Sequence, residues 1–395
     1  MTQLGELYTN FSRIDLDAKG GYARVAQVRT NGPRAFPDLC AFKAMRHEND
    51  YTKSVERFEE ELRLLTHITD DLDAPPAITK IYDSGFVPAE LSESLQKRES
   101  PSPDLEIIST GLNVQDFLDQ KIRLQSEAPD RWIPYLVVEL APYDDSMLRQ
   151  IHNQPREDPA GLFRLPTGEV IAMALQLLDV MQYLHTKHKY AYMDWKPEHI
   201  YWNGQGKRVK LIDWNVTSKL GDGPGVTQNI RDDLRLFCGA ALYVSLTFVD
   251  PDDPTKPIGP RPTKDLASPV PEIRQRYWTD EPDFYQRNTM LDETIKAIIQ
   301  KGLDPKQGFA SIEELKTTLF EYAEQELGLT KAELTLRSEP GSPYFKAISE
   351  VRMAQQKLLD AQQHIIEAVE ENGARLEFTR LFDAIKRALS NFPTS

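Results

Sequence analysis

A chain of 395 residues with 40% hydrophobic content has room for one large domain and an appendage, or two to three small domains, and disorder is not its default. Its formal net charge of −14, without a dense Lys/Arg stripe interleaved with aromatics, argues against nucleic-acid binding. No run approaches the roughly 20 apolar residues of a membrane span, and Cys40 and Cys238 alone make no disulfide framework, so the expectation is a cytoplasmic protein with reduced thiols and no membrane partner.

In chain order, residues 22–30 and 36–44 read as strands broken by the turn Asn31-Gly32-Pro33. Residues 54–68 place Val55, Phe58, Leu62 and Leu65 on one helical face. Two strand-like runs follow, 77–87 and 132–140. The polar, proline-bearing and partly helical insertion between them, 89–131, reads as surface decoration, with a regulatory role as the alternative. From 169 to 185 the chain is apolar almost all round, the pattern of a buried helix. Short β-prone pieces at 199–202 and 208–213 flank Asn203-Gly204, and a second buried helix is expected from about 233 to 249. Seven prolines from Pro251 to Pro271 mark a surface loop. Helices at 344–372 and 376–391 complete the chain, with Gly373 placed to end the first of them. Strands first and helices after give an α+β fold of two lobes.

Three short motifs carry chemistry. Lys19-Gly20-Gly21-Tyr22-Ala23-Arg24-Val25 is a glycine-bearing turn between strands, whose backbone N–H groups have open access to phosphate oxygens. In Cys40-Ala41-Phe42-Lys43 a strand lysine faces inward and needs a counter-ion, which Glu61, eighteen residues on, is placed to give. Tyr192-Met193-Asp194-Trp195-Lys196-Pro197-Glu198-His199 is followed by Asp213-Trp214-Asn215. The two aspartates, nineteen residues apart at the ends of short strands, suit metal-assisted phosphoryl transfer.

Together these residues resemble the eukaryotic-type protein kinase family, in order, from about residue 13 to 325. The resemblance implies a two-lobed protein-kinase-like domain over 1–330 and a helical C-terminal extension over 331–395. Within the domain a small β-rich N-lobe spans about 1–141 and a larger helical C-lobe about 142–330. It implies ATP with Mg2+, or Mn2+, as cofactors. Gly20 and Gly21 would cover the phosphates. Lys43 would touch the α- and β-phosphates while paired with Glu61. Val25 and Ala41 would cover the adenine, and the backbone at Val138, Glu139, Leu140 and Ala141 would hydrogen-bond it. Asp194 would be the catalytic base, Lys196 the γ-phosphate contact and Asp213 the main metal ligand. Asp233 would open the central C-lobe helix and brace the catalytic loop. Leu65, Tyr192, Trp214 and Asp233 would form the stack that links the lobes.

The pattern departs from the family at four places. His199 stands where the family has an asparagine that holds a second magnesium, and imidazole is a softer donor than magnesium prefers. Asn215 replaces a glycine, and Met193 replaces the arginine that pairs with a phosphorylated activation loop. Only twenty residues separate Asp213 from Asp233, and no Ala-Pro-Glu motif follows. The last two changes agree, because a chain without the long loop has no use for the arginine that senses its phosphate. Three functions stay open: a protein kinase acting on Ser/Thr hydroxyls without loop control, a nucleotide-binding pseudokinase scaffold, and a small-molecule kinase of the aminoglycoside or choline phosphotransferase kind. A protein substrate is the expected partner, and the apolar stripes within 344–391 suit a helical hairpin or self-association.

Overall fold

The computed structural model describes residues 2–13, 22–31, 36–46, 50–128, 131–141, 167–195, 199–203, 208–215, 217–221, 225–246, 291–304 and 306–335. The chain divides into two compact units, Met1–Leu336 and Arg337–Ser395. The second, with the helices expected at 344–372 and 376–391 and any self-association through them, lies outside the described residues.

The N-terminal half is built on a seven-stranded antiparallel sheet. Its strands are β1 (Thr2–Gln3), β2 (Tyr8–Arg13), β3 (Ala23–Thr30), β4 (Leu39–Met45), β5 (Ile81–Pro88), β6 (Glu106–Ser109) and β7 (Trp132–Glu139), in the order β1-β6-β5-β7-β4-β3-β2. A short helix α1 (Leu4–Leu7) separates the first two strands. Sequence periodicity finds β3, β4 and β7 but misses β2. Its register slips between Thr9 and Ser12, with Asn10 at φ 53°, so its large apolar residues, Tyr8 and Phe11, fall three apart instead of two. The strand expected at 77–87 begins only at Ile81, because Ala77 and Ile78 leave the sheet to meet Leu211 below.

Helix α2 (Tyr51–Thr69) packs across this sheet. Asp50 caps it by accepting the Lys53 N–H, and Val55, Phe58, Leu62 and Leu65 are buried along one stripe. The insertion corrects its expected role as decoration. It forms α3 (Ala89–Gln96), strand β6 and α4 (Val114–Glu127), adding β6 to the edge of β5 and laying α4 against α2. Within the sheet, fully buried Asp83 accepts hydrogen bonds from Tyr135 (3.0 Å), Ser109 (2.7 Å) and Tyr8, which ties β2, β5, β6 and β7 together.

The C-terminal half centres on α5 (Thr167–Tyr183), buried from Val170 to Leu175 and again at Leu177, Leu178, Val180 and Met181. Each such large side chain removed from water contributes roughly 1.5–3 kcal/mol, so α5 is the core of this half. It widens into a π-helical turn at Leu184–His188 and stops at Lys189, whose φ of 60° is left-handed. The small strands β8 (Tyr190–Ala191), β9 (Ile200–Asn203), β10 (Arg208–Leu211) and β11 (Ser218–Lys219) pair antiparallel as β8 with β11 and β9 with β10. Helix α6 (Gly225–Leu236) continues through a π-helical stretch, Phe237–Tyr243, into a last turn at Val244–Leu246. Asp233 therefore lies in the third turn of a helix and does not open it. The polar face of Thr227, Gln228 and Asp232 hides the Val226, Ile230, Leu234 stripe from a search for apolar runs. Helices α7 (Glu293–Leu303), α8 (Ile312–Leu327) and α9 (Lys331–Thr335) complete the described chain. Among the described residues no helix is long and apolar enough to cross a membrane. Burial raises the thiols of Cys40 and Cys238 to about 11 and about 12, with the charge of Glu139 adding to the effect at Cys40, so both stay as inert thiols.

Polar contacts join the halves at several places among the described residues. Ile78 bridges Leu211 in parallel, and the Leu211 N–H donates to the Ala77 carbonyl at 2.8 Å. In the loop after α2, Asp71 accepts from Lys187 (2.6 Å) and Tyr183 at the end of α5. The hydrogen bonds from Lys187, Tyr183 and the Asp73 N–H lower the Asp71 pKa from 3.8 to about 2. A carboxyl depressed by folding stabilises the fold above its unfolded pKa and loses that contribution as pH falls through the folded one. The melting-temperature gap between wild type and Asp71→Asn is therefore expected to be full above pH 3.8 and to close towards pH 2. A gap independent of pH in thermal melts would contradict this.

Candidate active site

Lys43 stands at the centre of the cleft between the halves. It is directly opposite Val25 on β3 and Leu136 on β7, and two residues from Ala41, whose partner is Val138. Cross-strand partners and alternate residues share a face, so Val25, Ala41, Lys43 and Val138 form one surface. The Lys43 ammonium donates to both Glu61 oxygens, at 2.9 and 2.7 Å, and to Asp213 Oδ1 at 2.7 Å. Lys43 and Glu61 are 6% and 2% exposed, so the pair is desolvated and needs each contact. Burial alone would lower the lysine pKa; the charges of Asp213 and Glu61 outweigh it and hold the ammonium well above the ordinary range. Burial pushes the Glu61 carboxyl up, against the pull of Lys43 and the Trp214 N–H.

Below, the two aspartates converge. His199 lies between them, with Nδ1 3.4 Å from Asp194 Oδ2 and Nε2 3.4 Å from Asp213 Oδ2. Nδ1 is also 3.1 Å from the Asp194 carbonyl oxygen. An Nδ1–H donated to that carbonyl leaves the Nε2 lone pair turned towards Asp213. One ligand atom from each of Asp194, His199 and Asp213 lies within 4.8 Å of the others, a donor set that fits a divalent cation.

Two strained residues shape this floor. Met193 and Asp213 have left-handed φ of 62° and 64°, which costs on the order of 1–3 kcal/mol each. The framework over-determines both. Fully buried Asp233 accepts the Tyr192 N–H (3.1 Å), the Met193 N–H (3.0 Å) and the Trp195 indole N–H (2.6 Å), and pairs with His185 Nε2 at 2.8 Å. The Tyr192 hydroxyl donates to the Ile212 carbonyl at 2.6 Å, and its ring meets Trp214 edge-on at 5.1 Å. Trp214 donates its indole N–H to Thr79 at 3.0 Å, joining the floor to the upper half. Leu65 is buried in the same apolar cluster as Tyr192 and Trp214.

At the cleft's rear edge, Glu139 is opposite Cys40, so its side chain lies on the face away from Lys43. There it binds Lys210 at 2.7 Å, and its backbone N–H donates to the Lys80 carbonyl. Ala141, two residues on, is buried. Sequence reasoning missed this ion pair and the bridging posture of His199, neither of which leaves a local pattern. Gly20, Gly21 and Lys196 lie outside the described residues.

A strand lysine, a helix glutamate and a second-lobe aspartate thus meet in one ion cluster, above a loop that carries the other aspartate. The fold is protein-kinase-like. No protein-family model matches the chain. Human and rat dual specificity mitogen-activated protein kinase kinase 7 are each 31% identical to it over 85 residues, 22% of this chain and 18% of theirs, so under a fifth of those relatives is spanned. Among solved structures, Rad53 residues 1–466 in complex with AMP-PNP is similar at TM-score 0.44 and 15% identity, covering 78% of this chain and 64% of that one. The Cydia pomonella granulovirus kinase PK-1 is similar at TM-score 0.45 and 12% identity, covering 78% and 92%.

Proposed function

We propose that this chain is an ATP-dependent phosphotransferase that passes the γ-phosphoryl group to a Ser or Thr hydroxyl of a protein, without control by activation-loop phosphorylation. The observation that carries the reading is Lys43 held at once by Glu61 and Asp213, with Asp194 and His199 on the other side of Asp213. The kinase-kinase likeness over 85 residues supports it.

In this reading the Val25–Ala41 surface covers adenine and Lys43 contacts the α- and β-phosphates. Asp213 and His199 Nε2 would hold a divalent cation, Mg2+ or Mn2+, which when bound would neutralise charge at the phosphate oxygens. Asp194 takes the proton of the acceptor hydroxyl as its oxygen bonds to the γ-phosphorus. The bond from that phosphorus to the bridging oxygen breaks, and ADP keeps the electron pair. Asp233 fixes the strained loop that aims Asp194 and has no part in the proton transfer.

One observation favours a second reading, a nucleotide-binding pseudokinase. The His199 ring already spans the space between the two carboxylates, 3.4 Å from each, where a cation would sit. A single comparison separates the two. Wild type is expected to phosphorylate itself or a generic protein faster with Mn2+ than with Mg2+, because imidazole is the softer donor. In His199→Asn the preference is expected to turn towards Mg2+, by roughly tenfold in the rate ratio. ATP-dependent thermal stabilisation with no turnover in either metal supports the second reading and rejects the first.

A further inference from the structure

Helix α2 has a cleft-facing flank and an outer flank. Glu59 and Glu61 are two residues apart, about 200° around the helix, so one faces away from Lys43 as the other meets it. The outer flank is covered by α4 of the insertion. Glu59 accepts Lys121 Nζ from α4 at 2.6 Å, and Arg63 of its own helix at 3.0 and 2.8 Å. Burial opposes the Glu59 charge, but the Lys121 and Arg63 hydrogen bonds overcome it and hold this carboxyl below the ordinary range. Both members are mostly buried, at 20% and 18% side-chain exposure, so the pair is no freely solvated surface contact.

Helix α4 is itself fixed to the sheet. Phe117 is fully buried and stacks on Phe86 of β5 at 4.7 Å, Leu124 is buried, and Asn113 caps the helix by accepting the Gln115 and Asp116 N–H groups. A second tie lies where the insertion ends: the Tyr51 hydroxyl, in the first turn of α2, donates to the Trp132 carbonyl at 2.7 Å. Outward movement of α2, the motion that would pull Glu61 from Lys43, has to break both ties.

We infer that the 89–131 insertion is a built-in brace, in which Lys121 and Tyr51 are positioning residues that hold α2 where Glu61 meets Lys43. The inference deepens the proposed function: a chain with a short segment after Asp213 keeps its Lys–Glu pair assembled through this brace. The regulation it implies is constitutive, with the active arrangement present before any modification.

The test uses the full chain as wild type, Lys121→Met, Lys121→Arg and Arg123→Glu, the last on the exposed face of the same helix. Hydrogen exchange of the α2 amides is followed without nucleotide, beside ATP-dependent turnover. Lys121→Met is expected to speed α2 exchange and lower turnover about three- to thirtyfold. Lys121→Arg and Arg123→Glu should stay within about twofold of wild type, the range of surface changes without specific partners. The brace is overturned if Lys121→Met leaves α2 exchange unchanged, or if Arg123→Glu speeds it equally. Wild type that neither binds nor turns over ATP sinks the proposed function instead, while the exchange data still decide the brace. Should Lys121→Met not fold, Tyr51→Phe, which removes only the hydroxyl bonded to Trp132, gives the same exchange readout.

Discussion

Asp194→Asn is expected to cut ATP-dependent phosphoryl transfer by about 10²- to 10⁴-fold while nucleotide affinity stays near that of wild type. The asymmetry follows from where the side chain sits. Lys43, Glu61 and Asp213 form the ion cluster that meets the phosphates, and His199 stands between Asp194 and that cluster. The amide keeps the shape and can still hydrogen-bond, but it cannot take a proton at neutral pH. Single-turnover assays beside equilibrium nucleotide titration check both halves. Equal rates for the two proteins would remove Asp194 from the chemistry. A large loss of affinity would move it into the binding cluster.

Asp233→Ala is expected to cost about 3–5 kcal/mol of stability, at the upper end for single substitutions because it breaks a buried hydrogen-bond network. The carboxylate is fully buried and receives the Tyr192, Met193 and Trp195 N–H groups and His185. Removing it strands those donors without water to replace it, each at a cost of roughly 1–3 kcal/mol before relaxation. It also frees Met193 from its left-handed φ, so Asp194 loses its aim along with the fold's stability. Urea unfolding monitored by tryptophan fluorescence reads this directly, since Trp195 is one of the four contacts. A loss under about 1 kcal/mol would mean that Asp233 is not the anchor of the loop.

The sequence makes the centre of the site legible and its surroundings much less so. Lys43 and Glu61 are readable because strand alternation turns the lysine inward and the Val55, Phe58, Leu62, Leu65 stripe fixes the helix beneath it. Asp194 and Asp213 are readable from their spacing around the β9–β10 hairpin. Strand β2 is hidden by its bulge, and the true start of α6 by its polar first turns. The insertion is the largest miss. Its buried anchors Phe117 and Leu124 are seven apart on a helix whose other apolar residues include the exposed Ile122, and the partners that make it structural, Phe86 and Glu59, are distant in sequence. Long-range pairing of that kind leaves no local period to detect. The posture of His199 depends in the same way on the approach of Asp213, fourteen residues further on.

Isothermal titration of the full chain with a non-hydrolysable ATP analogue, with and without Mn2+, shows whether the Lys43–Asp213 cluster takes nucleotide and metal together. Saturable one-site binding that tightens when the metal is added is expected, with an Asp213→Ala variant in which the metal brings no tightening. Binding that is absent, or that responds to the metal equally in both proteins, would contradict this.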